Sequence, residues 1–161
     1  CSASCTLAWD YEALDASTTY YIKMLGFGNA TYTLTVTRGS SEGSKNNPVE
    51  LTLGTGRSGT VEGTSSYGKS YYKFTTVATD NYTLTMTNSD SMDCYLYSDS
   101  GFSTYVSYSY NNCTAGTNLS KTFTGTSSSV GLLSGTSYYL RIEGTSSTVK
   151  TTTYDITVAP D

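Results

Sequence analysis

Tyr82-Thr83-Leu84-Thr85-Met86-Thr87 sets an apolar residue at every second position and a threonine between. Successive side chains of a strand point to opposite faces, so a period of two is the signature of a half-buried strand. Tyr82, Leu84 and Met86 are expected to face a core, and the three threonines water. The same pattern recurs along the chain. Tyr32, Leu34 and Val36 alternate with threonines, and Tyr154, Ile156 and Val158 with Asp155 and Thr157. Tyr20, Ile22 and Met24 alternate with Tyr21 and Lys23, and Tyr138, Leu140 and Ile142 with Tyr139 and Arg141. Residues 49–53, 71–75, 93–97 and 119–123 are further strand candidates. Gly-, Ser- and Thr-rich stretches at 39–44, 54–59, 63–66, 125–129 and 144–147 read as the turns between them. Short strands at this spacing predict an all-β fold, an antiparallel β-sandwich.

Composition agrees. The 161 residues include 25 Ser, 30 Thr, 16 Tyr and 15 Gly, which suit pleated surfaces and turns. No window carries the 3.6-residue apolar spacing of a helix. The net charge is −4 with no basic cluster, so no nucleic-acid partner is expected. No apolar run is long enough for a membrane span. The start is unlike a signal peptide, so the chain is expected to begin after processing or at a cut inside a longer precursor. There is no histidine, which removes Ser-His-Asp and Cys-His chemistry. Nucleophile-elbow and phosphate-loop motifs are absent as well. The reading is therefore not an enzyme, with no catalytic residues and no cofactors.

An internal repeat gives the organisation. Ser17-Thr18-Thr19-Tyr20-Tyr21-Ile22-Lys23-Met24 matches Gly135-Thr136-Ser137-Tyr138-Tyr139-Leu140-Arg141-Ile142. Each copy continues through a glycine-bearing turn into a Tyr-x-Leu/Ile-Thr-Val strand, at 32–36 and 154–158. On this alignment 1–37 is a partial sandwich module at the N-terminus, made of C-terminal strands. Residues 38–46 are a linker, and 47–161 are a complete module.

The complete module resembles the bacterial pre-peptidase C-terminal (PPC) domain family. The matching pieces, in family order, are Tyr71-Tyr72-Lys73-Phe74-Thr75, Asn81-Tyr82-Thr83-Leu84-Thr85-Met86 and Asp93-Cys94-Tyr95-Leu96-Tyr97-Ser98-Asp99, closed by the segments at 135–142 and 154–158. The resemblance implies a jelly-roll-like β-sandwich that serves as a non-catalytic accessory domain of secreted proteins. The extra cysteines, the tyrosine excess and the partial first copy depart from the family pattern.

Four cysteines, Cys1, Cys5, Cys94 and Cys113, fit no zinc spacing, so no metal site is expected from them. Their even number in a Ser/Thr-rich chain points to disulfides in an oxidising compartment, secreted or at the cell surface. Of the three pairings, Cys94–Cys113 is favoured, because Cys94 lies on a strand pattern and Cys113 follows a loop able to fold back. Cys1 and Cys5 would stand roughly 13 Å apart on one extended strand, beyond disulfide reach, which leaves a pairing across a turn or of Cys5 outside this chain. Sequons at Asn29, Asn81, Asn112 and Asn118 fall at strand starts or in loops and are expected to carry glycans. Trp9 and the dense stretch holding Tyr105, Tyr108 and Tyr110 offer rings for stacking on sugars, although tyrosine is equally a favoured strand residue. Asp10, Glu12 and Asp15 read as a solvated face, and the oxygens of 88–93 with Asp99 as turn chemistry.

Two functions follow from these readings. One is an extracellular structural subunit, a homo-oligomer or filament, that self-assembles head-to-tail as neighbouring copies complete the partial module by strand donation. The alternative is a carbohydrate- or surface-binding accessory module of a secreted hydrolase.

Overall fold

The computed structural model describes residues 18–23, 33–34, 42–62, 68–106, 111–113, 118–124, 131–144 and 151–161. Nine strands are described among them. They are β1 (Val49–Glu50), β2 (Arg57–Glu62), β3 (Lys69–Thr75), β4 (Tyr82–Asn88), β5 (Met92–Tyr97), β6 (Asn111–Cys113), β7 (Asn118–Phe123), β8 (Ser137–Gly144) and β9 (Thr151–Pro160). They form two sheets, ordered β1-β3-β8-β5-β6 and β2-β9-β4-β7. Every pairing is antiparallel except β1 with β3. The fold is thus the all-β sandwich expected.

Alternation sets the core. Leu84 and Met86 of β4 and Ile156 and Val158 of β9 meet Leu140 and Ile142 of β8 and Leu96 of β5 between the sheets. Each such side chain removed from water contributes roughly 1.5–3 kcal/mol. Four tyrosines share this core, and their phenols bond at its margins. Tyr82 Oη accepts from Val77 N (3.0 Å) and Ala78 N (3.2 Å), and Tyr138 Oη accepts from Leu133 N (3.0 Å). Tyr72 and Tyr154 bond each other at 2.6 Å. A core tyrosine therefore packs its ring inside and fastens a loop or a second ring with its hydroxyl.

Several expectations change. The stretch 54–59, read as a turn, ends inside β2, where Gly59 pairs with Tyr154. An added Cβ at Gly59 would lie 2.6 Å from Tyr72 Oη and 2.7 Å from the Tyr154 ring, so the strand needs a residue without a side chain there. The candidate at 49–53 shortens to two residues. Residues 42–46, assigned to the linker, are docked: Glu42 O accepts from Tyr71 N at 2.8 Å, and Ser44 is buried. The segment 18–23 is in no strand; Tyr20 and Ile22, expected to face a core, are exposed, as is Leu34. The rest of 1–37 lies outside the described residues.

Glu42 and Asp161 lie at opposite poles of the sandwich. Glu42 sits beside Ser70 and Tyr71 at the start of β3. Asp161 donates its amide to Asn81 O (3.0 Å), in the turn beyond the other end of that strand.

Candidate functional site

The outer face of the five-stranded sheet carries an aromatic cluster. The alternation that turns Tyr72, Leu96 and Leu140 inward turns Tyr71, Tyr95, Tyr97, Tyr139 and Arg141 outward. Register then brings them together: Arg141 lies between Tyr71 and Tyr95, and Tyr139 between Lys73 and Tyr97. The Arg141 guanidinium is 4.7 Å from the Tyr95 ring centre and 5.2 Å from that of Tyr97, a cation–π arrangement on two rings. Glu143 neutralises this cation at 2.7 Å and also pairs with Lys69 at 3.8 Å. Next in the row, Asp93 is lifted above the usual carboxylate range by burial, against the pull of the Tyr95 hydroxyl bonded to it.

Residues 98–106 fold back over the cluster. Asp99 holds this loop by accepting from Thr104 N (2.6 Å), Ser103 N (3.2 Å) and Ser103 Oγ (2.9 Å). Burial is the largest single influence on Asp99 and raises it, but these donors together outweigh it and keep the carboxyl below its ordinary range. Phe102, at a left-handed φ of 51°, buries its ring edge-on against Tyr71 (4.9 Å) and Tyr97 (5.4 Å). A bulky residue in that region is strained, and the Asp99 clasp is what maintains it. Tyr105 closes the cluster, 4.7 Å from the Tyr97 ring and 45% exposed. A 300 Å³ cleft that meets the cluster at Tyr139 is lined by Lys45, Asn46, Pro48, Lys73, Ser100 and Tyr139.

Of the residues singled out from sequence, Tyr105 belongs to this surface. Trp9, Tyr108, Tyr110 and Asn29 lie outside the described residues, as do Asp10, Glu12 and Asp15. Asn81 stands immediately before β4, partly buried. Asn112 pairs in register with Asp93, and Asn118 with Thr87. Cys94 is buried in the core, with its Sγ 4.0 Å from Met86 Sδ. Cys113 stands opposite Met92, one step along the ladder from Cys94 and at a position of the same parity. Diagonal neighbours on a ladder are about 7–8 Å apart, so a Cys94–Cys113 bridge asks β6 to slide by two residues, which keeps every face unchanged. The Asn88–Asp90 turn is closed by its own bonds, Asn88 Nδ2 to Asp90 O and Ser91 N to Asp90 Oδ1. Among the described residues no group of three or more metal-ligating side chains occurs. No described helix is long and apolar enough to cross a membrane.

Sequence reading missed Tyr95, Tyr97, Tyr139 and Arg141 as a site. The signal was present as the second, non-core set of each alternation, where tyrosine stands in place of threonine.

No family model matches the sequence, and no curated protein matches it. Among solved structures, the fold is similar to that of the pre-peptidase C-terminal domain of a collagenase from Bacillus anthracis. The identity is 17% and the TM-score 0.51, over 70% of this chain and 95% of that one. At that identity the likeness is one of fold: a sandwich of the pre-peptidase C-terminal kind.

Proposed function

We propose that the chain is a secreted, non-catalytic accessory module of a hydrolase, which holds its parent protein on a carbohydrate surface through the outer face of the five-stranded sheet. The observation that carries this reading is Tyr105, exposed on a buried aromatic base with Arg141 beside it. Such a ring is rigid, pre-oriented and flanked by polar groups, as sugar stacking requires. The similar fold in a collagenase supports the accessory role. Affinity electrophoresis in gels of neutral and acidic polysaccharides tests it. Tyr105→Ala should weaken retention about tenfold, the loss of one stacked ring, while the far-ultraviolet spectrum stays unchanged. Equal retention of variant and parent in every gel rejects the reading.

A second reading, head-to-tail assembly of copies into a filament, is favoured by a separate observation. Tyr20 and Ile22 are 47% and 38% exposed, whereas their repeat equivalents Tyr138 and Leu140 are 5% and 0% exposed inside β8. The same motif is thus inside a sheet at β8 and, among the described residues, in no strand at 18–23. A neighbouring copy could supply a sheet for it by strand addition. Exposed Val77 and Leu133 lie near each other on loops bonded through Ser134 Oγ and Val77 O, an apolar contact area for the next copy. Removing residues 1–37 should abolish assembly and leave 47–161 folded. A full chain that stays monomeric by light scattering at high concentration, with no fibres in micrographs, rejects this reading.

A further inference from the structure

Open sheet edges are templates for pairing with other chains. On one flank the protein covers the edge of its five-stranded sheet itself. Residues 42–51 lie along β3, with Tyr71 N bonded to Glu42 O and Leu51 N to Lys73 O, both at 2.8 Å. The opposite flank is formed by β6 and β7, the last strands of the two sheets. β6 is three residues long, and in β7 the half-buried Lys121 stands opposite the buried core residue Leu84, an inward-directed charge that discourages pairing.

The same two strands carry sequons, Asn112-Cys113-Thr114 and Asn118-Leu119-Ser120. Register fixes their parity. Asn112 is opposite Asp93 and Asn118 opposite Thr87, residues on the outer sides of β5 and β4, whose neighbours Cys94 and Met86 are buried. Both asparagines thus hold outer-face positions, one at the edge of each sheet. Asn111, opposite buried Cys94, and Asn88, 4% exposed, are in no sequon. Position and motif coincide on the outer parity alone.

We infer that Asn112 and Asn118 carry N-linked glycans that close the β6–β7 flank against pairing by other chains. In the transfer, the amide nitrogen bonds the anomeric carbon of an oligosaccharide carried on a lipid diphosphate. The C–O bond to the diphosphate breaks, its electron pair stays on the phosphate oxygen, and the amide gives up one proton to base. The bulky, hydrated product at each edge excludes an incoming strand from the β6–β7 flank.

The test is glycopeptide mass spectrometry and light scattering on the full chain secreted from a host with an N-oligosaccharyltransferase. Both sites should be occupied. The Asn112→Gln/Asn118→Gln double variant should associate, its apparent mass roughly doubling or more with rising concentration. If that variant fails to fold, trimming the glycans from the folded parent with an endoglycosidase makes the same measurement. Unoccupied sites, or a trimmed protein that scatters like the parent, overturns the inference. Sugar retention through Tyr105 reads out separately, so either proposal can fail alone.

Discussion

Gly59→Val is expected to cost about 3 kcal/mol and to lower the melting temperature by roughly 10 °C. The cause is local and steric. The first added carbon would lie 2.6 Å from Tyr72 Oη and 2.7 Å from the Tyr154 ring, in the space the bonded phenols occupy. Both rings are in the packed core, at 0% and 2% exposure, so neither has free volume to move into. Because β2 is an edge strand whose ladder partner among the described residues is β9, the strand itself would be displaced. Thermal unfolding followed by circular dichroism measures the loss. Pairing the change with Tyr72→Phe should recover part of it by removing the clashing oxygen, at the expense of Tyr154's partner, so the two effects should not add. A Gly59→Val variant that melts within a degree or two of the parent would show that β2 has another place to go.

The second large effect is alkaline. Burial pushes Tyr72 up to about 12, although its bond to Tyr154 works the other way. Tyr154, Tyr95 and Tyr97 are raised too, each chiefly by burial. In the unfolded chain a tyrosine ionises near 10. A group with a raised folded pKa contributes its full stability below the unfolded value and loses it as pH climbs toward the folded one. Stability should therefore hold to about pH 10 and then fall steeply, with Tyr72 alone accounting for about 2 kcal/mol by pH 12. Denaturant melts across this range, read beside tyrosinate absorbance, check it. Unfolding and tyrosinate absorbance should rise together. Absorbance rising fully while the fold persists would mean that the phenols are open to solvent.

The strands most legible in sequence were those whose inward set is wholly apolar: β4, β8 and β9 each show it in a few residues. β2 was not, because Arg57-Ser58-Gly59-Thr60-Val61-Glu62 has no bulky inward set. What calls for Gly59 is a pair of phenols from β3 and β9, far away in the chain, and no local pattern records that meeting. β6 escaped for a different reason, being three polar or thiol residues long. Thr18–Lys23 shows the limit from the other side: its alternation equals that of β8, yet it is in no strand, because alternation states a readiness to form a strand and not that one forms. For the aromatic site, Tyr105 was visible in a tyrosine-rich run. Arg141 between two rings was not, because register sets that arrangement, and register is a property of two strands.

The placement of Glu42 and Asp161 at opposite poles decides how the sandwich between them bears load. A pull between Glu42 and Asp161 acts along the strands. β9 pairs with β4 over Tyr154–Pro160 on one side and with β2 over Thr151–Ile156 on the other. In antiparallel ladders those bonds lie across the strand axis. Tension on the last residue therefore loads many bonds at once, in shear, and they cannot be peeled away singly. A tether that fails only when a whole ladder fails together yields late and abruptly, its lifetime under force set by the unfolding rate.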